Sequence, residues 1–336
     1  MSNKETVISY LLKRIANQDK AFAAKTVEFF GIARSTVYHY LQELTESGVL
    51  CKADTPTKYA LVAKTTSFSF VSDGTLDEDR VCRRSLDPLL ADYAPNVRSI
   101  WRYAFTEMMN NAIEHSGAKA ITVTVRQDAL QTAVEILDDG DGIFNHIRRY
   151  MSREHGVELE PEECVSLLFA GKFTTAKALH SGEGIFFTSH MMDRFLIVSD
   201  GIRFSRDNFS DTLAAEQTVS GGTGVFMSLD NRSRKTAREV FDRFSDQDEG
   251  FVRTHIPVAH MFSGDPVSRS EARRLAASVE GFKEITLDFA GVGEVGQAFV
   301  HELFVVFQTR HPQVCLLCEN TAEAVETMIR RVKNTK

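Results

Sequence analysis

Glu107-Met-Met-Asn-Asn111-Ala-Ile-Glu-His115 carries three side chains able to do acid–base or metal chemistry, at positions i, i+4 and i+8. That spacing puts Glu107, Asn111 and His115 on one stripe of a helix. An amide oxygen such as that of Asn111 is the hard ligand type that Mg²⁺ takes alongside phosphates. Tyr103, Phe105, Met109 and Ile113 are placed so that the other faces of this helix can be buried. Next comes Ala133-Val-Glu-Ile-Leu137, a predicted strand that ends at Asp138. A carboxylate at a strand end can accept a hydrogen bond from an exocyclic amine. The stretch Asp138-Asp-Gly140-Asp-Gly142-Ile143 can then bend tightly beside a ligand, because glycine puts no Cβ in the way. Gly182-Glu-Gly184-Ile185 and Gly222-Thr223 follow further on. Singly, each stretch reads as an ordinary turn. In this order and spacing they fit a nucleotide pocket.

These residues carry a family resemblance. The stretch from about Thr75 to Ala259 resembles the GHKL ATP-binding fold, shared by histidine kinases, gyrase B, heat-shock chaperones, MutL and anti-sigma-factor kinases. The resemblance implies an α/β sandwich, a mixed sheet with helices on one face, that uses ATP and Mg²⁺. It implies Asn111 as the Mg²⁺ ligand, Glu107 as general base and Asp138 on the adenine amino group, with Gly140, Gly142 and Ile143 completing that box. Gly182 and Gly184 match the glycine box that closes the lid, and Thr223 matches the late-strand threonine that supports adenine. The lid is expected over Asn145 to His180, where Lys172 and Thr174 offer a cation and a hydroxyl to phosphates. Glycines before a helix N-terminus suit phosphate binding. His115 is expected to cap or pack. The phosphoacceptor helix of a sensor histidine kinase is missing, since His39 is the only histidine ahead of Glu107.

Two further units must flank this domain. From Met1 to Ala63, apolar residues recur at helical spacing over Thr6–Ile15, Ala23–Phe30 and Ile32–Gly48. Gly31 is placed to end the second helix as a left-handed cap. In the third, Val37, Tyr40, Leu41 and Leu44 form the inward stripe; Arg34, Ser35, Thr36, Tyr38, His39 and Gln42 face outward. Val49–Lys52 and Lys58–Val62 read as a β-hairpin. Three helices and a hairpin resemble the winged helix-turn-helix of transcription regulators, whose third helix enters the DNA major groove. The unit holds eight Lys/Arg against six Asp/Glu, so it is slightly basic on an acidic body, which fits local DNA contact.

From His260 onward the pattern alternates between helix and strand. Ser268–Val279 reads as a helix with Ser268 or Ser270 near its N-cap, Glu284–Phe289 as a strand and Ala298–Phe307 as an apolar helix. A strand over Val314–Cys318 and a helix over Thr321–Val332 close the chain. This resembles a STAS-like domain of the type attached to GHKL domains. In the anti-sigma antagonists of that group a Ser or Thr follows an Asp at the strand-to-helix corner. Here the corner is Glu294-Val-Gly-Gln297-Ala-Phe299, without a hydroxyl, so packing and partner docking are the expected roles. The resulting division is 1–63, 64–260 and 261–336.

Composition fits a chain of two or three globular domains: 336 residues, 43% hydrophobic and 25% charged. The net charge of −7 argues against a globally basic nucleic-acid coat. No segment approaches the ~20 apolar residues that span a bilayer. The N-terminus lacks the apolar core of a signal peptide, so no membrane and a cytoplasmic location are expected. Five scattered cysteines make no disulfide framework. Cys315-Leu-Leu-Cys318 lies in an apolar run and is expected to be a pair of buried strand thiols. Three function classes follow: an ATP-controlled DNA-binding regulator, an anti-sigma-type serine/threonine kinase acting in trans, and a mechanical ATPase of the MutL or gyrase kind. The N-terminal unit favours the first, and the lack of a gyrase-type transducer weighs against the third. DNA, a protein bound through the STAS-like domain and a second copy of the chain are the expected partners.

Overall fold

The computed structural model describes residues 3–156, 158–171, 183–199, 201–205, 221–246, 248, 250–262, 264–279 and 281–334. Helices Asn3–Ala16 (α1), Phe22–Phe30 (α2) and Arg34–Glu46 (α3) come first, then an antiparallel hairpin of Leu50–Lys52 (β1) and Tyr59–Leu61 (β2). Leu11, Ile15, Phe22, Val37, Leu41 and Leu50 give this unit its own core. Gly31 ends α2 at φ 62°, its amide on the Val27 carbonyl. In α3, Val37, Leu41 and Leu44 are buried, whereas Tyr40 is only half-buried.

Val62 and Ala63 alone separate β2 from Lys64–Val71 (β3), the edge strand of a six-stranded sheet. Glu78–Ser85 (α4) and Pro95–Glu114 (α5) follow, then Ala120–Gln127 (β4) and Gln131–Asp138 (β5). Ile143–His155 (α6), Pro161–Ala170 (α7) and Gly184–Met191 (α8) precede Arg194–Ser199 (β6), Ile202–Ser205 (β7) and Gly224–Asp230 (β8). The strand order is β3-β4-β5-β8-β6-β7, and every pairing is antiparallel. The expected mixed sheet is therefore corrected. A tight turn joins β4 to β5, β6 pairs antiparallel with β7, and β8 runs opposite to both of its neighbours. Alternation points Ile121, Val123, Val125, Val134 and Ile136 into one core with Ile100, Trp101, Phe105 and Met109 of α5.

Of the lid expected over 145–180, residues 172–180 lie outside the described residues, and the stretch over Pro161–Ala170 is corrected. The apolar spacing of α7 buries Cys164, Val165, Leu168, Phe169 and Ala170 in the main core. The Thr254 hydroxyl donates to the Ala170 carbonyl at 3.0 Å, fixing the end of α7 to the C-terminal unit.

Short strands Ser245–Asp246 (β9) and Gly250–Phe251 (β10) lead to Arg253–Pro257 (β11), Glu284–Asp288 (β12) and Cys315–Glu319 (β13). The last three form a parallel sheet in that order. This sheet thus begins at Arg253, ahead of the boundary expected at 260/261. Ser268 caps the helix Arg269–Ser278 in a capping box with Glu271. A helix over 297–310 contains a π-turn at Glu302–Phe307, and Glu323–Asn334 is the last helix. Buried Glu302 is held by Arg273 at 2.8 Å and Arg269 at 3.4 Å. One apolar core runs from Val81 to Val332, so both sheets share it. Cys315 and Cys318, expected to be buried, are exposed, because β13 is an outer strand. Among the described residues no helix is long and apolar enough to cross a membrane.

Candidate functional site

α5 must be rigid to aim the Glu107–Asn111–His115 stripe. Its first turn holds Pro95, and its inward side buries Val97, Ile100, Trp101, Ala104, Phe105, Met108, Met109 and Ala112. Each of the larger side chains stabilises by roughly 1.5–3 kcal/mol when fully buried, so the helix is fixed along its length. Glu107 and Asn111 remain half-buried on the other side.

β5 then delivers Asp138, which is 8% exposed. Its Oδ1 accepts the amides of Gly140 at 2.9 Å and Thr223 at 3.2 Å. Its own amide donates to the Thr223 carbonyl at 3.0 Å. Both donors go to the same oxygen, and no described residue donates to Oδ2. Burial pushes this carboxyl above the usual range, against the pull of the two amides. A carboxylate so placed gains most from one strong external donor, such as an amino group. Asp139 next door is the opposite case. It is exposed, its Oδ1 takes the amides of Lys119 and Ala120, and these hold it below the usual range.

Two of the site's glycines are required by close approach of other backbone. A methyl on Gly140 would collide with the Ser116 carbonyl, and one on Gly222, at φ +75°, with the Asp138 carbonyl. Ser116 is a residue the sequence reading missed. Its carbonyl takes the Asp141 amide at 2.8 Å, and its hydroxyl takes the Ala118 amide at 2.9 Å. Ser116-Gly117, with Gly117 at φ +67°, was the available signal of a turn closing α5 onto the loop. Ser199, also missed, donates to the Gly222 carbonyl at 2.7 Å.

Gly142, at φ 82°, precedes α6, and the Ile143 amide that opens α6 donates to the Thr223 hydroxyl at 3.0 Å. Thr223 thus ties the loop to β8. Gly184 opens α8 directly against Glu107, where a methyl would overlap the Glu107 carboxylate. This places a negative group at a helix N-terminus. Burial first, then Glu107 and Glu183, raise the Tyr103 hydroxyl, which lies in the field of both. The His115 and His146 rings stand 6.4 Å apart, and burial, with Arg149, pushes His146 down.

The structure therefore brings together Glu107 with Gly184, and Asp138 with Gly140, Ile143 and Thr223. Asn111 lies one turn beyond Glu107 on the same stripe. Lys172, Thr174 and Gly182 lie outside the described residues. Arg34, Ser35, Thr36, Tyr38 and His39 belong to α3, in the N-terminal unit. Arg34 lies 5.7 Å from the Tyr38 ring centre, and His39 lies 3.4 Å from Glu43.

The chemistry of this donor set fits a nucleotide: a buried carboxylate with one uncommitted oxygen, a glycine-lined loop against it and a hard amide oxygen on a neighbouring helix. A cluster of three or more His, Cys, Asp or Glu able to hold a metal ion by themselves is absent among the described residues. Mg²⁺ that shares its shell with phosphates and water needs no such cluster. No curated relative matches the chain. Residues 82–203, which hold every pocket residue above from Glu107 to Gly184, match a family model described as a histidine kinase-like ATPase domain. Residues 271–326 match one described as a STAS-like domain of unknown function, so the chain carries a histidine kinase-like ATPase domain followed by a STAS-like domain.

Proposed function

We propose that this protein is a Mg²⁺-ATP-binding regulator whose nucleotide state is passed to an N-terminal DNA-binding unit. The observation that carries the pocket is Asp138, buried, with Oδ1 tied to two amides and Oδ2 open to a donor. Asp138 accepts the exocyclic amine of adenine. Thr223 and Gly140 hold that carboxylate in place. Asn111 offers its side-chain oxygen to the metal. Glu107 of α5, facing the start of α8, takes a proton from water or an acceptor hydroxyl. Bound Mg²⁺-ATP supplies the phosphoryl group, and the reaction consists largely of positioning and charge neutralisation.

The path to the N-terminal unit is short. Ala129 and Leu130, in the turn between β4 and β5, pack on its core, and Lys13 pairs with Asp230 at 3.0 Å. β3 continues from the hairpin and pairs with β4 from Lys64 to Val71. Arg34, Ser35, Tyr38 and His39 are exposed along α3, the helix proposed to enter the groove, with Thr36 half-buried beside them. A second reading is a protein kinase of the anti-sigma type, favoured by the joining of an ATPase-like and a STAS-like domain in one chain.

One titration separates the two. If nucleotide and DNA are linked, Mg²⁺-ATP changes DNA affinity by ~5–150-fold and DNA changes ATP affinity by the same factor. Arg34→Ala weakens DNA binding and leaves ATP affinity without DNA unchanged. DNA affinity that ignores ATP at matched salt and Mg²⁺, together with labelled phosphate appearing on a partner protein, would replace the regulator with the kinase.

A further inference from the structure

The outer strand of the C-terminal sheet is an edge without the usual protection. β13 is last in the order β11-β12-β13, and among the described residues nothing pairs with its far side. Its residues Cys315-Leu-Leu-Cys318 are apolar or thiol-bearing, yet only Leu316 is even half-buried. Leu317 is 41% exposed. Ile285 and Leu287 of β12 are fully buried on one face, but Thr286, on the face shared with Leu317, is not. Parallel sheets are ordinarily covered on both faces.

An exposed, flat, apolar edge is a template for another strand, and native edges are blunted by Lys, Pro, bulges or short length. β3, the edge of the larger sheet, supplies the control. It opens with Lys64 and exposes Thr65, Ser67 and Ser69. β13 has no charge before Glu319, no Pro within it, and an unbroken register with β12.

We infer that β13 is the surface through which two copies of this chain pair, edge to edge and antiparallel. Charge favours that occupant. Lys283, beside the Arg253–Glu284 pair, lies at the N-terminal end of this sheet, and Asp288 and Glu319, both within 4 Å of His255, at its C-terminal end. Antiparallel pairing sets each basic end beside the acidic end of the other copy. A two-fold axis perpendicular to the sheet keeps the faces in common, so residues of equal parity oppose one another. Centring on Leu317 sets it against its own copy, with Leu316 against Cys318 and Cys315 against Glu319. No like charges meet in that register, and the two exposed leucines cover each other.

Sedimentation velocity of the full chain over about 1–100 µM tests this, since self-association follows mass action. The parent shows a concentration-dependent dimer. Leu317→Lys, at an already exposed position, weakens it by about tenfold or more and leaves the thermal midpoint unchanged. Leu317→Cys supplies a second readout. Opposed residues have Cα atoms ~4.5–5.5 Å apart, inside the ~4.4–6.8 Å range of disulfides. Mild oxidation therefore links that variant into covalent dimers, whereas the parent, whose thiols face Glu319 and Leu316, stays unlinked. A parent that is monomeric throughout, a dimer indifferent to Leu317→Lys, or a Leu317→Cys variant that links no better than the parent overturns the inference.

Discussion

Thr132 and Asp138 stand near opposite ends of β5, on the same buried face, but their polar atoms are treated differently. At the Thr132 end a chain of donors is complete. Gln127 donates to the Tyr93 hydroxyl at 3.0 Å, which meets Thr132 at 2.9 Å. Thr132 donates to Asn231 at 2.8 Å, and Asn231 donates to the Asp128 carbonyl at 2.8 Å. At the Asp138 end one carboxylate oxygen is left open. Closed networks rigidify a fold, whereas an acceptor left without a partner in the fold keeps its capacity for a donor from outside. The first end anchors the sheet beside the N-terminal unit; the second leaves free the acceptor that the proposed nucleotide pocket requires.

The largest expected effect breaks the open end by sterics. Gly222→Ala puts a methyl on the Asp138 carbonyl at a backbone angle of φ +75°. It lowers stability by about 3 kcal/mol or more in thermal or denaturant melts. Gly221→Ala, at φ +80° but facing open space, costs about 1–2 kcal/mol. Equal losses in the two variants would show that the approach at Gly222 is not tight.

Breaking the closed end has a smaller effect. Thr132→Val keeps the shape but strands Tyr93 and the side-chain Oδ1 of Asn231. A stability loss of about 1–3 kcal/mol is expected, with nucleotide affinity unchanged. A loss of affinity comparable to that of a pocket variant would mean that the two ends are not separable.

The smallest effect is in pH dependence and sharpens the contrast between neighbours. Asp138 has a raised carboxyl, so it favours the fold below the usual carboxylate range and loses that contribution as pH rises through its own value. Asp139 has a lowered one, so its contribution is present above the usual range and lost as pH falls through its lower value. At neutral pH, Asp138→Asn is therefore as stable as the parent or more so. Asp139→Asn is less stable, and its deficit fades in acid. Melts from pH 3 to 7 check the order; the reverse order would refute the assignment of the two environments.

Much of this end was legible because its signals are local. A period of four along α5, alternation along β5 and glycines at φ-demanding bends are written in neighbouring residues. The outward face of α3 was readable for the same reason. What was not legible depends on partners far along the chain. Nothing near Ser116 says that Gly140 will pack on it, and nothing near β8 says that it runs opposite to both neighbours. The lid expectation does not hold over α7 because the apolar run Cys164–Ala170 is buried in the main core, partly against the C-terminal unit at Thr254. The thiols of β13 were expected inside because apolar runs usually are, and an edge position cannot be read from composition.

The most direct measurement is calorimetry of Mg²⁺-ATP binding to Asp138→Asn beside the parent. The asparagine can still accept the Gly140 and Thr223 amides through its oxygen, which leaves its own amide, a donor, facing the adenine amine. The account predicts a loss of affinity of roughly 10–100-fold, the worth of a hydrogen bond to a charged acceptor, without loss of the thermal midpoint. Unchanged affinity in a folded Asp138→Asn would contradict the placement of the nucleotide at this end of the strand.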